Sequence, residues 1–371
     1  MQQPNILMFQ VDQLTALALR AYGNPVCHAP TLDDMAASGV VFENAYCNFP
    51  LCAPSRFSMA SGQLCSNIGA YDNAAEFAAS IPTYAHYLRA QGYHTCLSGK
   101  MHFIGPDQHH GFEHRLTADL YPADFSWVPH WGNEGKRDTN DARSVTIAGV
   151  CDRSVQIEFD EEVTLQAERY LYQVSGNTNR RPFFLQVSYT HPHEPYLCQQ
   201  KYWDLYAESG VPRPATGPLK DSEYDAHSVR LLKDFGMFGH QFSDEEVQRA
   251  RRGYYGSISY IDSLVKRVLT VLESTGLDSK TAILFTSDHG DMLGERGLWF
   301  KKHFYEHAMR VPLIVKAPWI QANRVSELVS LLDLLPTLNA RAGGEALEAE
   351  ASEGTDLTSL FDSPRESGRT I

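Results

Sequence analysis

A large, mostly parallel sheet flanked by helices on both faces, an α/β fold, is what this 371-residue chain predicts, on three observations. Short unbroken apolar runs alternate with segments of helical period, as strands buried on both faces alternate with the helices that cover them. The runs end on polar residues able to do chemistry. With 43% hydrophobic and 21% charged residues, the chain can also bury the core that such a sheet needs.

Asn5 to Val11 is the first run; Thr95 to Ser98, Phe183 to Tyr189, Ala282 to Thr286 and Pro312 to Val315 follow it, each of strand length. Between them the pattern predicts helices over Thr31 to Ser38, stopped by Gly39, and Pro82 to Ala90, stopped by Gly92. Further helices are predicted over Asp160 to Tyr172 and Ser243 to Ser274, the last opening with Ser243 and Glu246 in capping-box spacing. A helix-like stretch from Glu327 to Ala342 closes the main body. Gly343 to Glu353 is then small and acidic, and Leu357 to Phe361 is a short apolar turn. The expected division is one catalytic α/β domain over 1–342 and an acidic C-terminal segment over 343–371.

Lys and Arg number 32 against 45 Asp and Glu, a formal net charge of −13, which argues against a nucleic-acid partner. The N-terminus carries no positive region, and its first apolar run is too short for a signal peptide or a membrane span. A cytoplasmic protein with no membrane partner is expected. The seven cysteines are scattered without CxxC spacing, so no disulfide framework is read from them.

Asp12 follows the first run, Lys100 and His102 the second, His191 the third, Asp288 and His289 the fourth. Open α/β sheets bind ligands at the carboxyl ends of their strands, so these segments point to one edge. Singly, each has an ordinary reading: helix caps for Asp12 and Asp288, a loop histidine for His191, solvated charge for Lys100, Lys301 and Lys302. Together, two carboxylates with a neutral donor suit a divalent cation.

Cys52-Ala53-Pro54-Ser55-Arg56 resembles the signature of the sulfatase family. Asp12-Gln13, Gly99-Lys100-Met101-His102, Thr190-His191-Pro192-His193, Ser287-Asp288-His289-Gly290 and Lys301 ahead of Arg310-Val311-Pro312-Leu313 look like its successive motifs, in order. The longer strings Gly69-Ala70-Tyr71-Asp72-Asn73-Ala74-Ala75-Glu76-Phe77 and Leu120-Tyr121-Pro122-Ala123-Asp124-Phe125 are similar to those of its choline sulfatase branch.

The resemblance implies the alkaline-phosphatase-like fold and hydrolysis of an alkyl sulfate, choline sulfate first, by a formylglycine made from Cys52 by a formylglycine-generating enzyme. Asp12, Gln13, Asp288 and His289 would hold a divalent cation, calcium first with manganese as the alternative, since an imidazole ligand moves preference away from an all-oxygen ion. Lys100 and Lys301 would bind sulfate oxygens, with Lys302 a rival for the second role, and Arg56 would hold the nucleophile's loop. His191 would protonate the leaving alcohol and His102 would take a proton as sulfate departs. Trp127 would face a quaternary ammonium, within a stretch that also holds Tyr121, Phe125, His130 and Trp131. Relatives continue into a smaller antiparallel subdomain, which this chain is expected to lack; a homo-oligomer is a further expectation. A phosphonate or phosphate ester hydrolase, and a non-catalytic metal or sulfate ester binder with Cys52 unmodified, are the alternative readings.

Overall fold

The computed structural model describes residues 3–124, 126, 141–177, 181–207 and 210–361. Among them lie strands β1 (Asn5–Val11), β2 (Val40–Tyr46), β3 (His94–Gly99), β4 (His114–Arg115), β5 (Gly149–Val150), β6 (Phe183–Ser188), β7 (Leu197–Cys198), β8 (Thr281–Ser287), β9 (Arg310–Val311), β10 (Leu313–Lys316) and β11 (Asn323–Ser330). The main sheet runs β11-β2-β10-β8-β1-β6-β3-β4, with β9 beside β2, while β5 and β7 pair separately. β1 is parallel to β6 and β8, and β3 to β6 and β4. β10 is antiparallel to both β8 and β2, which leaves β2 running with β1. The carboxyl ends of β1, β2, β3, β6 and β8 therefore share one edge, as the polar run-ends require.

Strand period divides the core between the two faces. Leu7, Phe9 and Val11 of β1 join Ile258, Ile261 and Val265 of the long Asp244–Ser274 helix, whereas Ile6 and Met8 join Phe57, Leu88 and Leu335 on the other face. Each such side chain, fully buried, contributes about 1.5–3 kcal/mol. The long helix starts where its sequence says. Ser243 Oγ accepts from Glu246 N and the Glu246 carboxylate accepts from Ser243 N, satisfying two end donors reciprocally.

Three differences from the sequence reading have physical causes. β2 escapes a search for apolar runs because Glu43 and Asn44 interrupt it. β11 escapes it as an edge strand whose residues alternate between buried and exposed. Glu327 to Ala342 is not one helix: β11 extends to Ser330, a 3-10 turn covers Leu331–Asp333, and the helix is Leu334–Arg341. Ser330 makes the boundary, its hydroxyl accepting from Leu332 N and its own N–H donating to Asp333 Oδ2. The acidic segment, as far as Phe361, packs onto this body: Phe361 meets Phe42 edge-on at 6.0 Å, and Thr355 N donates to Asp333 Oδ1. All seven cysteines are free.

Candidate active site

β1 delivers Asp12 and β8 delivers Asp288 and His289, while Cys52 opens the fully buried Cys52–Ser61 helix beyond β2. Adjacent strand ends are stitched by Asp288 N to Val11 O and Lys100 N to Ser188 O. The result is a buried cluster in which one ligand atom each from Asp12, Cys52, Asp288 and His289 lies within 4.8 Å of the others.

Arg56, one helical turn from Cys52 and wholly buried, orients that cluster. Its Nε donates to Asp288 Oδ2 at 2.8 Å and its Nη2 to Asp12 Oδ2 at 3.0 Å, while Nη1 reaches Lys100 O and Ser188 Oγ. The Oδ1 atoms lie nearer the centre, Asp288 Oδ1 also accepting from Gln13 N and His289 N. His289 Nε2 lies 3.8 Å from each Oδ1 and 3.3 Å from Cys52 Sγ. Because Gly290 O can only accept, the 2.9 Å contact to it places a proton on His289 Nδ1 and turns Nε2 to the centre; against burial, Asp288, Cys52 and Asp12 raise the ring's pKa to about 9, so Nε2 gives up a proton when it serves as a ligand. Two carboxylates, an imidazole nitrogen and the position-52 side chain fit a divalent cation.

Burial alone would raise the Asp12 carboxyl, as would a thiolate at Cys52; Lys100, His193 and Arg56 together hold it well below the carboxylate range. The Cys52 thiol, which burial would push up, is instead drawn far down by Lys100, Lys301 and His289, so this pocket favours negative charge at position 52.

Lys100 and His102 lie on a tightly specified turn. Gly99 has φ 114°, and a Cβ there would stand 1.9 Å from Ser188 O. Lys100 Nζ pairs with Asp12 Oδ2 and sits 4.3 Å from the Tyr121 ring centroid. His102, at φ 62°, stacks on the same ring at 4.9 Å. Asp119 pins the turn, its Oδ2 accepting from Met101 N, His102 N and Arg115. Burial lowers the His102 pKa below its usual value, keeping a neutral base beside Cys52. Tyr121, grouped in sequence with the candidate ammonium contacts, thus faces Lys100 and His102.

His191, expected as the proton donor, is held from its Nδ1 side. Its Nδ1 and backbone N–H both engage Asp160 Oδ2, and its ring abuts Tyr260. His193 instead reaches the site, with Nε2 at 2.6 Å from Lys301 Nζ and Nδ1 on Glu194 O. Lys301 also donates to Gln13 Oε1 and lies 3.5 Å from Glu194. Lys302 turns away toward Asp234 and the Phe235 ring. Gln13 touches the metal cluster through its backbone, donating to Asp288 Oδ1, while its side chain spans Lys301, Glu194 and Asp291. Sequence reading missed Glu194, Asp291, Asp119 and Asp160. Glu194, Asp291 and Asp119 had a local signal, each adjoining a quoted motif, whereas Asp160 had none. Trp127, Phe125, His130 and Trp131 lie outside the described residues.

The family model "Sulfatase" matches residues 4–344. The chain is 46% identical over 364 residues to the choline-sulfatase of Rhizobium meliloti (strain 1021), covering 96% of this chain and 71% of that one. It is 30% identical to an arylsulfatase of Clostridium perfringens (strain 13 / Type A), covering 91% of this chain and 74% of the relative. Among solved structures, the phosphonate monoester hydrolase from Silicibacter pomeroyi superposes with a TM-score of 0.79 at 25% identity, over 99% of this chain and 78% of that one. With its sequence matched almost end to end and its metal-fitting cluster gathered at the expected sheet edge, this chain belongs to the sulfatase family.

Proposed function

We propose that this protein hydrolyses choline sulfate to choline and sulfate. The observation that carries the reading is the 46% identity to a choline-sulfatase, sustained over 96% of the chain. A divalent cation held by Asp12, Asp288 and His289, with Gln13, whose side-chain oxygen accepts from Lys301, set aside as a ligand, calcium first and manganese second, and a formylglycine hydrate at position 52 would supply the nucleophilic hydroxyl and neutralise charge on the sulfate.

The chain's own residues then divide the remaining work. Lys100 and Lys301 bind sulfate oxygens, two buried cations aimed where the transferred group is negative. His193, whose Nε2 accepts from Lys301 here, would deliver the proton that the poor alkoxide leaving group needs once Lys301 turns to a sulfate oxygen and Nε2 takes up a proton. His102, neutral through burial, takes the proton from position 52 that lets sulfate depart. Arg56 fixes both metal carboxylates, and Gln13 holds Lys301 in line. A formylglycine-generating enzyme is the maturation partner.

The test uses protein co-expressed with such an enzyme, with conversion of residue 52 verified by peptide mass. Choline release from choline sulfate is expected, and Cys52→Ala should abolish it. Faster turnover of a phosphonate monoester would transfer the assignment to the chemistry named for the Silicibacter pomeroyi structure.

A further inference from the structure

As encoded, the cluster carries a sulfur. Cys52, Asp12, Asp288 and His289 offer one S, two O and one N, from side chains at most 1% exposed. Calcium takes six to eight oxygens, whereas a thiolate beside an imidazole suits zinc. Geometry agrees with chemistry. A tetrahedral ion with ordinary zinc–ligand lengths needs donor-to-donor edges of about 3.4–3.6 Å. The Sγ–Nε2 edge is 3.3 Å, and the Sγ–Oδ1 edge to Asp12 and both Nε2–Oδ1 edges are 3.8 Å. The two remaining edges, from Asp288 to Sγ and to Asp12, are at most 4.8 Å, so the four corners close around one ion once the Asp288 carboxylate moves inward.

Surrounding contacts already orient each donor. Gly290 O fixes the His289 tautomer so that Nε2 points inward, and Arg56 occupies the outer oxygen of each carboxylate. Outer partners of this kind set ring orientation and raise ligand basicity in metal sites. Cys52 is held at the start of its buried helix, where Ser55 Oγ donates to Asp288 O and locks the helix to the β8 end.

We propose that the chain with Cys52 unconverted binds a zinc-type ion in a closed site of two aspartates, one cysteine thiolate and one histidine, and that conversion of Cys52 ends this preference by exchanging sulfur for oxygen. The inference rests on reading these residues as the metal centre, and it concerns the form of the chain that the hydrolytic reading leaves out. On binding, the one proton shared between Cys52 Sγ and His289 Nε2 leaves to solvent as the metal–sulfur and metal–nitrogen bonds form, and no electron changes hands. Maturation thus also switches metal selectivity.

The experiment uses full-length protein made without a formylglycine-generating enzyme, its thiol verified by peptide mass and its metals removed with chelator. Cobalt(II) is the probe. An intense near-ultraviolet sulfur-to-cobalt charge-transfer band is expected, bleached by added zinc. Cys52→Ser should lack the band and, by competition with a chromophoric chelator, bind zinc at least about tenfold more weakly. Bound cobalt without a sulfur band in the unconverted chain overturns the proposal whether or not the variant folds, as does unchanged zinc affinity in a folded Cys52→Ser protein. Converted protein is titrated in parallel with calcium and manganese. Failure of both to bind there, with the cobalt band present in the unconverted chain, counts against the hydrolytic reading and supports the thiolate site.

Discussion

His191 and His193, two residues apart, meet opposite surroundings, and substitution separates them. His193→Ala should lower kcat on choline sulfate by roughly 10²–10⁴, the worth of a general acid, and should lower it less on an aryl sulfate whose leaving group needs no proton. Equal losses on both esters would remove His193 from proton transfer. His191→Ala leaves the buried Asp160 carboxylate short of a partner, so its effect belongs to stability, about 1–3 kcal/mol read from chemical unfolding. Asp12→Asn and Asp288→Asn should each lower bound metal in elemental analysis, because each removes a charged oxygen from the cluster; full occupancy in both would reduce these residues to partners of Arg56. The choice between the two imidazoles was not legible in sequence. It depends on Asp160, which lies thirty-one positions before His191 and reaches its turn from the Val155–Ser175 helix.

At the scale of elements, the strand ends were readable because burial on both faces makes a strand a plain apolar run, and the residue after it stands out. What the runs do not reveal is how tightly each turn is constrained. Gly99→Ala would place a methyl 1.9 Å from Ser188 O in a left-handed backbone, so the Lys100–His102 turn must move. Lys100 would leave Asp12 and the Tyr121 ring, and turnover should fall by about 10²-fold or more, as small misplacements in active sites do. Asp119→Asn is the milder companion, keeping an oxygen acceptor for Met101 N and His102 N but losing the charge that faces Arg115. A Gly99→Ala enzyme with undiminished kcat would show that the turn has slack that its contacts do not suggest.

Across the whole molecule, the sheet and its reactive edge were legible because apolar period and polar punctuation agree, whereas β2 and β11 were hidden by polar residues that an interrupted strand and an edge strand tolerate. Buried imidazoles away from the site were equally hidden, and they bear on stability. Burial is the main reason that His110 and His303 are each lowered to about 4, and His110 lies against the Phe77 and Phe103 rings. An imidazole with a lower pKa folded than unfolded binds its proton more readily when unfolded. Both rings are therefore neutral and neutral in effect at pH 7, and both oppose the fold as pH falls from about 6.5 toward 4, by at most about 3 kcal/mol each. Carboxylates lose their own contributions in the same direction, so the comparison must be between proteins. The urea midpoint of the unmodified sequence should drop steeply between pH 7 and pH 4.5, and that of a His110→Phe, His303→Gln double variant should drop less. Parallel decline of the two would mean that these rings gain their protons within the folded state as freely as outside it.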